Sequence, residues 1–94
     1  MIFNNTEAKR GYKNLVKNMT KEEKRGIVEL LNEMAKVVDE KMDTIKREDA
    51  VMLSASVEFD GLIYPLVVIG FRCETCDTRH IEILEVRNPV FSLN

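Results

Sequence analysis

The sequence predicts an α+β fold: an N-terminal helical hairpin, short helix then long helix, packed on a three-stranded antiparallel β-meander. Three observations predict it. Apolar residues recur at helical spacing in the first half of the chain, from Ala8 to Ile45. Beyond Asp49 the period drops to two, and an Asp60-Gly61 pair divides the C-terminal half into strands. The 94 residues make one domain, 1–94, whose 45% hydrophobic content is globular rather than disordered.

The first helix is expected over about 6–18. Thr6 can cap it, and Ala8, Tyr12, Leu15, Val16 and Met19 follow the spacing of one buried face. Thr20-Lys21-Glu22-Glu23 matches a capping box, in which Thr20 bonds the Glu23 amide and Glu23 reaches back to the Thr20 amide. From there Ile27, Leu31, Met34, Val38, Met42 and Ile45 recur at steps of four and three, with Leu30 and Val37 widening the stripe. The second helix is expected over about 20–47, roughly 40 Å at the standard rise. A compact domain of this size has a radius of gyration of about 13 Å, so part of this helix is expected to overhang the sheet and seek a partner. The expected oligomer interface is accordingly Ile27, Leu31, Met34, Val38 and Met42, a two-fold dimer being the simplest form.

Strand one is expected over 51–59, where Val51, Leu53, Ala55, Val57 and Phe59 alternate with Met52, Ser54, Ser56 and Glu58. Strand two, 62–72, is nearly all apolar. A two-residue turn at Asp60-Gly61 fixes the register, pairing Phe59 with Leu62, Val57 with Tyr64, Ala55 with Leu66 and Leu53 with Val68. The helices should cover that face. The reverse face still carries Ile63, Val67, Ile69 and Phe71, to be covered by the tail Val90-Phe91-Ser92-Leu93 or by another subunit, which adds Ile69 and Phe71 to the expected interface. Strand three is expected over 81–87. Pro65 offers no donor toward it, and pairing residue 72 with 81 sets Pro65 opposite Asn88, beside Pro89.

One arrangement has metal-ligand character: Cys73-Glu74-Thr75-Cys76 followed by His80. Two thiolates on a tight turn can take adjacent corners of a zinc tetrahedron, with His80 as a third ligand. The Cys73 to His80 loop resembles the knuckle of zinc ribbons, but lacks a second C-x2-C and a shaping glycine or proline. A redox pair competes with this reading, although such motifs open a helix that lowers the thiol pKa, and here a strand comes next. Two ordinary reduced cysteines in a surface loop come ahead of both, given the missing ligands.

The net charge of −2 hides a basic run of Lys9, Arg10, Lys13, Lys17, Lys21, Lys24 and Arg25. Such a patch can meet nucleic acid, a phosphorylated ligand or an acidic protein. The acidic balance and the absence of a helix-turn-helix pattern favour a solvated helix face instead. Catalysis finds little support. His80 is the single histidine, no P-loop or dinucleotide fingerprint occurs, and Glu29, Glu33, Asp39, Glu40 and Asp43 fall on the long helix as solvent-facing charges. Met19, Met34, Met42 and Met52 suit an adaptable core or interface.

No signal peptide or membrane-length apolar run is visible, and the two cysteines stand three apart, so a soluble protein of the reducing cytoplasm is expected. Three function classes are expected, in order. The first is a small non-enzymatic interaction protein, a regulator or inhibitor acting as a homo-oligomer on a protein partner; this Lys-, Asn-, Glu- and Ile-rich composition is shared by accessory proteins of phages and mobile elements. The second is an oligomer binding a phosphorylated or nucleotide-like ligand. The third is a zinc-stabilised module built on Cys73, Cys76 and His80.

Overall fold

The structure, a computed structural model, describes residues 2–44, 50–73, 75 and 78–91. Two helices, α1 (Thr6–Val16) and α2 (Lys21–Met42), precede four strands, β1 (Val51–Phe59), β2 (Leu62–Arg72), β3 (Arg79–Val86) and β4 (Val90–Phe91). The sheet runs β1-β2-β3, and β4 also pairs β2. This is the expected α+β fold with one strand more. The helices pack chiefly on the sheet: α1 lies on β3, and α2 lies on β1 and β2 with a lesser contact to β3.

The cap of α1 is Asn5, one residue before the expected Thr6. Its side chain accepts from the Ala8 amide at 2.8 Å and donates to the Leu84 carbonyl at 3.0 Å, so one residue starts the helix and ties it to β3. The amide does this with one group for each bond, Oδ1 accepting and Nδ2 donating. Asn5→Ala should lower the unfolding free energy by about 1–2 kcal/mol, and Asn5→Asp, which keeps the cap acceptor and loses the donor, should fall between it and the wild type in urea titrations.

At α2 both bonds of the capping box form, Glu23 N–H to Thr20 Oγ1 at 3.2 Å and Thr20 N–H to Glu23 Oε1 at 2.9 Å. The apolar stripe is buried along its length, at Ile27, Leu31, Met34, Val38 and Met42. This corrects the expected interface: those five residues face the sheet of their own chain and are not available to a second copy. The reason is one of lengths. The 22 residues of α2 span about 33 Å, while the nine of β1 run about 30 Å, so the sheet is long enough to cover the stripe. Only Lys21–Gly26 stand fully exposed ahead of it. The expected continuation through Ile45 to Arg47 lies outside the described residues.

The first hairpin matches the expected register at every position, from Val51 opposite Gly70 to Phe59 opposite Leu62. Its turn residues take positive φ, 52° at Asp60 and 76° at Gly61, as a type I′ turn requires. Register in the second hairpin differs. Arg72 pairs with Arg79 rather than with residue 81, because the connection closes with the Cys73 amide on the Thr78 carbonyl at 2.8 Å. A bulge at Val67/Val68 then shifts the pairing by one, and a second shift near Pro65 brings Ile63 opposite Val90. β3 does end beside Pro65, whose carbonyl takes the Arg87 amide at 2.9 Å and whose missing N–H can offer nothing further.

The inner sheet face contributes Val51, Leu66, Val68 and Ile83 to the core, with Ala8, Leu15, Met19 and the α2 stripe above them. Phe3 adds an aromatic contact to Tyr12, ring centroids 5.5 Å apart. Burial raises the Tyr12 phenol above its ordinary pKa, since the phenolate would lose hydration there. The C-terminal end of α2 is pinned by Arg79, whose guanidinium bonds Asp39 at 2.8 Å and also Asp43. The hydrogen bond to Asp39, then that to Asp43, raises the Arg79 pKa further.

Candidate functional site

Because side chains of a strand alternate, the same register that fills the inner face defines the outer one. On β2 the outer residues are Ile63, Pro65, Val67, Ile69 and Phe71, all half-buried. Met52 lies opposite Ile69 and is 63% exposed; Val90 lies opposite Ile63 and is 54% exposed. Ser54 and Ser56 flank Val67 and Pro65 on the β1 side, and Glu58 stands opposite Ile63. On the other side His80 pairs with Phe71, Glu82 with Ile69 and Glu85 with Val67. The result is an apolar column with carboxylates at its margins.

Val90 and Phe91 do not cover this column. Val90 and Phe91 continue the sheet edgewise along Ile63 and Leu62, in the plane of the strands rather than across their face. Phe91 is consequently 82% exposed. At Val90 and Phe91 this corrects the expected cover by the tail; Ser92 and Leu93 lie outside the described residues. Of the expected interface residues, Ile69 and Phe71 are the two that the structure leaves at the surface. The Phe71 ring stacks on His80, centroids 5.5 Å apart and planes 11° apart.

The metal reading rests on Cys76 as much as on Cys73 and His80, and Cys76 lies outside the described residues. Cys73 is a half-buried free thiol. His80 sits within 3.3 Å of Thr78 Oγ1, and the stack on Phe71 fixes its ring. Among the described residues no group of three His, Cys, Asp or Glu is gathered for a metal.

The basic run stays exposed and spreads over two elements. Lys9, Arg10 and Lys13 occupy the solvent arc of α1, Lys17 is its C-cap, and Lys21, Lys24 and Arg25 occupy the free first turns of α2. Two of them border a groove between α1 and the β3–β4 connection. One part of it, about 550 Å³, is lined by Arg10, Asn14 and Arg87 with Glu7 and Glu85. The adjoining part, about 400 Å³, adds Lys17, Asn18, Asp60 and Tyr64. Cations and carboxylates balance there, and Arg87 is engaged with Glu85 at 2.7 Å. The groove therefore has no excess positive charge to hold a phosphate. Its depth comes from Gly11, where a Cβ would stand 2.8 Å from the Val86 carbonyl oxygen, so helix and strand approach closely at that point.

Sequence reasoning placed Asp39 and Asp43 among solvent-facing charges and missed their pairing with Arg79. Their spacing of four on one flank of the α2 stripe was the available signal. No helix among the described residues is long and apolar enough to cross a membrane. No family model matches the chain, and comparison with curated proteins and with solved structures returns no significant match.

Proposed function

We propose that the protein is a small non-enzymatic interaction protein, a homo-oligomer that docks on a macromolecular partner through the outer sheet face. The observation that carries this reading is the column Ile63, Val67, Ile69 and Phe71, continued by exposed Met52 and Val90, on a face that no described segment crosses. Monomers seldom leave so continuous an apolar surface without a use for it. The margins state what kind of surface it fits. Glu58, Glu82 and Glu85 outnumber Arg87, so the matching partner is a protein element with an apolar centre and a basic rim. Regulation or inhibition by occlusion suits such a surface, because it needs contact area and no reacting group.

A labelled strand peptide alternating isoleucine and lysine, compared with its isoleucine–glutamate counterpart, tests this by fluorescence polarisation. The basic peptide should bind, the acidic one should not, and Ile69→Asp should abolish binding while leaving the far-UV circular dichroism unchanged. Equal binding of both peptides, or binding that survives Ile69→Asp, would remove the outer face as the docking surface.

A further inference from the structure

The two edges of the sheet are treated differently by the chain. The β3 edge is closed: the Ile83 amide donates to the Ile2 carbonyl and the Asn4 amide to the Ile83 carbonyl, both at 2.9 Å, and Asn5 takes the Leu84 carbonyl. A bulge and Pro89 interrupt it further. Among the described residues the β1 edge carries none of these devices. It runs nine residues in unbroken register, pairs only with β2 among the described residues, and holds no proline, lysine or glycine. A long, regular, open edge is a template for another strand, and proteins that do not use such an edge blunt it.

We infer that β1 pairs with β1 of a second copy across a two-fold axis, joining two sheets into one. This rests on the homo-oligomeric reading of the proposed function and specifies which surface joins the copies. In the hairpin register Phe59 and Leu62 form the hydrogen-bonded pair next to the turn, so the odd residues of β1 bond to β2. The amides and carbonyls of Met52, Ser54, Ser56 and Glu58 therefore point outward. An antiparallel pairing centred on Ala55 opposite Ala55 of the second copy uses all four, setting Met52 against Glu58 and Ser54 against Ser56 on each side of the axis. No like charges meet in that register. Two alanines at the axis leave room for the non-hydrogen-bonded pair, where side chains come closest.

Burial agrees with a missing neighbour on this side. Leu53, Ala55, Val57 and Phe59 belong to the inner face yet remain half-exposed, whereas Leu66 and Val68 beside them on β2 are 1% and 2% exposed. The flank of α2 above the edge is apolar too. Val28 and Ala35 lie with Ile2, Ile81 and Ile83 around a cavity of about 310 Å³ on the β3 side. Helical spacing then puts Leu30 and Val37 on the opposite flank, over β1, and Val37 is 39% exposed. With strands about 4.8 Å apart, a helix resting between β1 and β2 stands about 10 Å from its two-fold mate, the usual helix-packing distance.

The test is solution mass by light scattering, with three variants. The wild type should weigh twice the 10.9 kDa chain. Ser54→Pro removes an amide that β2 does not use, so it should give a monomer with unchanged far-UV circular dichroism. With Cys73→Ser and Cys76→Ser as background, Ala55→Cys should oxidise to a disulfide-linked dimer, and Val37→Lys should weaken the non-covalent dimer at least tenfold. A wild type that is monomeric at millimolar concentration, or a dimer indifferent to Ser54→Pro, would overturn the inference. Ile69→Asp should leave the mass unchanged; loss of peptide binding there and loss of dimer here therefore report on separate surfaces.

Discussion

Leu66→Ala should destabilise the protein by about 2–5 kcal/mol, one of the largest effects of any single truncation in the chain. Leu66 is 1% exposed at the middle of the central strand, paired with Ala55 on one side and Val86 on the other. Truncation removes buried methyl groups and leaves a cavity whose walls belong to paired strands, which cannot collapse inward without breaking the ladder. A domain of this size has roughly 5–15 kcal/mol in all, so the variant should sit near the limit of folding. Each kcal/mol corresponds to about 4–8 °C in Tm. Met52→Ala, on the outer face at 63% exposure, is the control and should change stability by no more than about 0.5 kcal/mol. Urea unfolding of both variants measures the contrast, and similar losses at the two positions would contradict the assignment of faces.

Gly70→Ala should also destabilise, although alanine ordinarily suits a strand better than glycine by about 0.5–1 kcal/mol. Steric overlap decides the sign. A Cβ at position 70 would overlap Val38 Cγ1 and stand 2.7 Å from Met42 Sδ. Met42 can swing aside, but Val38 is 0% exposed and has one strongly preferred rotamer in a helix. Overpacking of this kind costs about 1–3 kcal/mol. Val38→Ala makes room for the added methyl, so the double variant should be less destabilised than the sum of the singles, with a coupling of about 0.5–3 kcal/mol. Additive losses would mean that α2 does not cross β2 at Gly70.

Much of this architecture was legible because it is encoded locally. The capping box at Thr20 and Glu23 needs four residues, and the Asp60-Gly61 turn sets a register that then propagates along both strands. The stripe Ile27, Leu31, Met34, Val38 and Met42 was equally clear as a buried face. Periodicity says that a face is covered and not what covers it, and comparing the helix with an average radius instead of with β1 pointed to a second copy. The β3 register was not legible, because the bulge at Val67/Val68 and the closure of Cys73 on Thr78 leave no mark in composition. Asn5 as the cap depended on Leu84, far away in sequence. Of the candidate sites, the outer column was readable from the apolar run of β2 alone. The fate of residues 90 and 91 was not, since an apolar tail can lie across a sheet or extend it.

Both the proposed docking surface and the core depend on β2 having one covered and one uncovered face. Val67→Cys and Val68→Cys test this directly, as separate variants in the Cys73→Ser, Cys76→Ser background. The two positions are adjacent and carry the same native side chain, half-buried on the outer face at 67 and 2% exposed on the inner face at 68. Under native conditions a thiol-reactive reagent should modify the cysteine at 67 within the mixing time of a slow assay, and reach the one at 68 only through unfolding, at least a hundredfold more slowly. Equal protection of the two would mean that a second layer covers the outer face, and would contradict the division of β2 into a core side and a docking side.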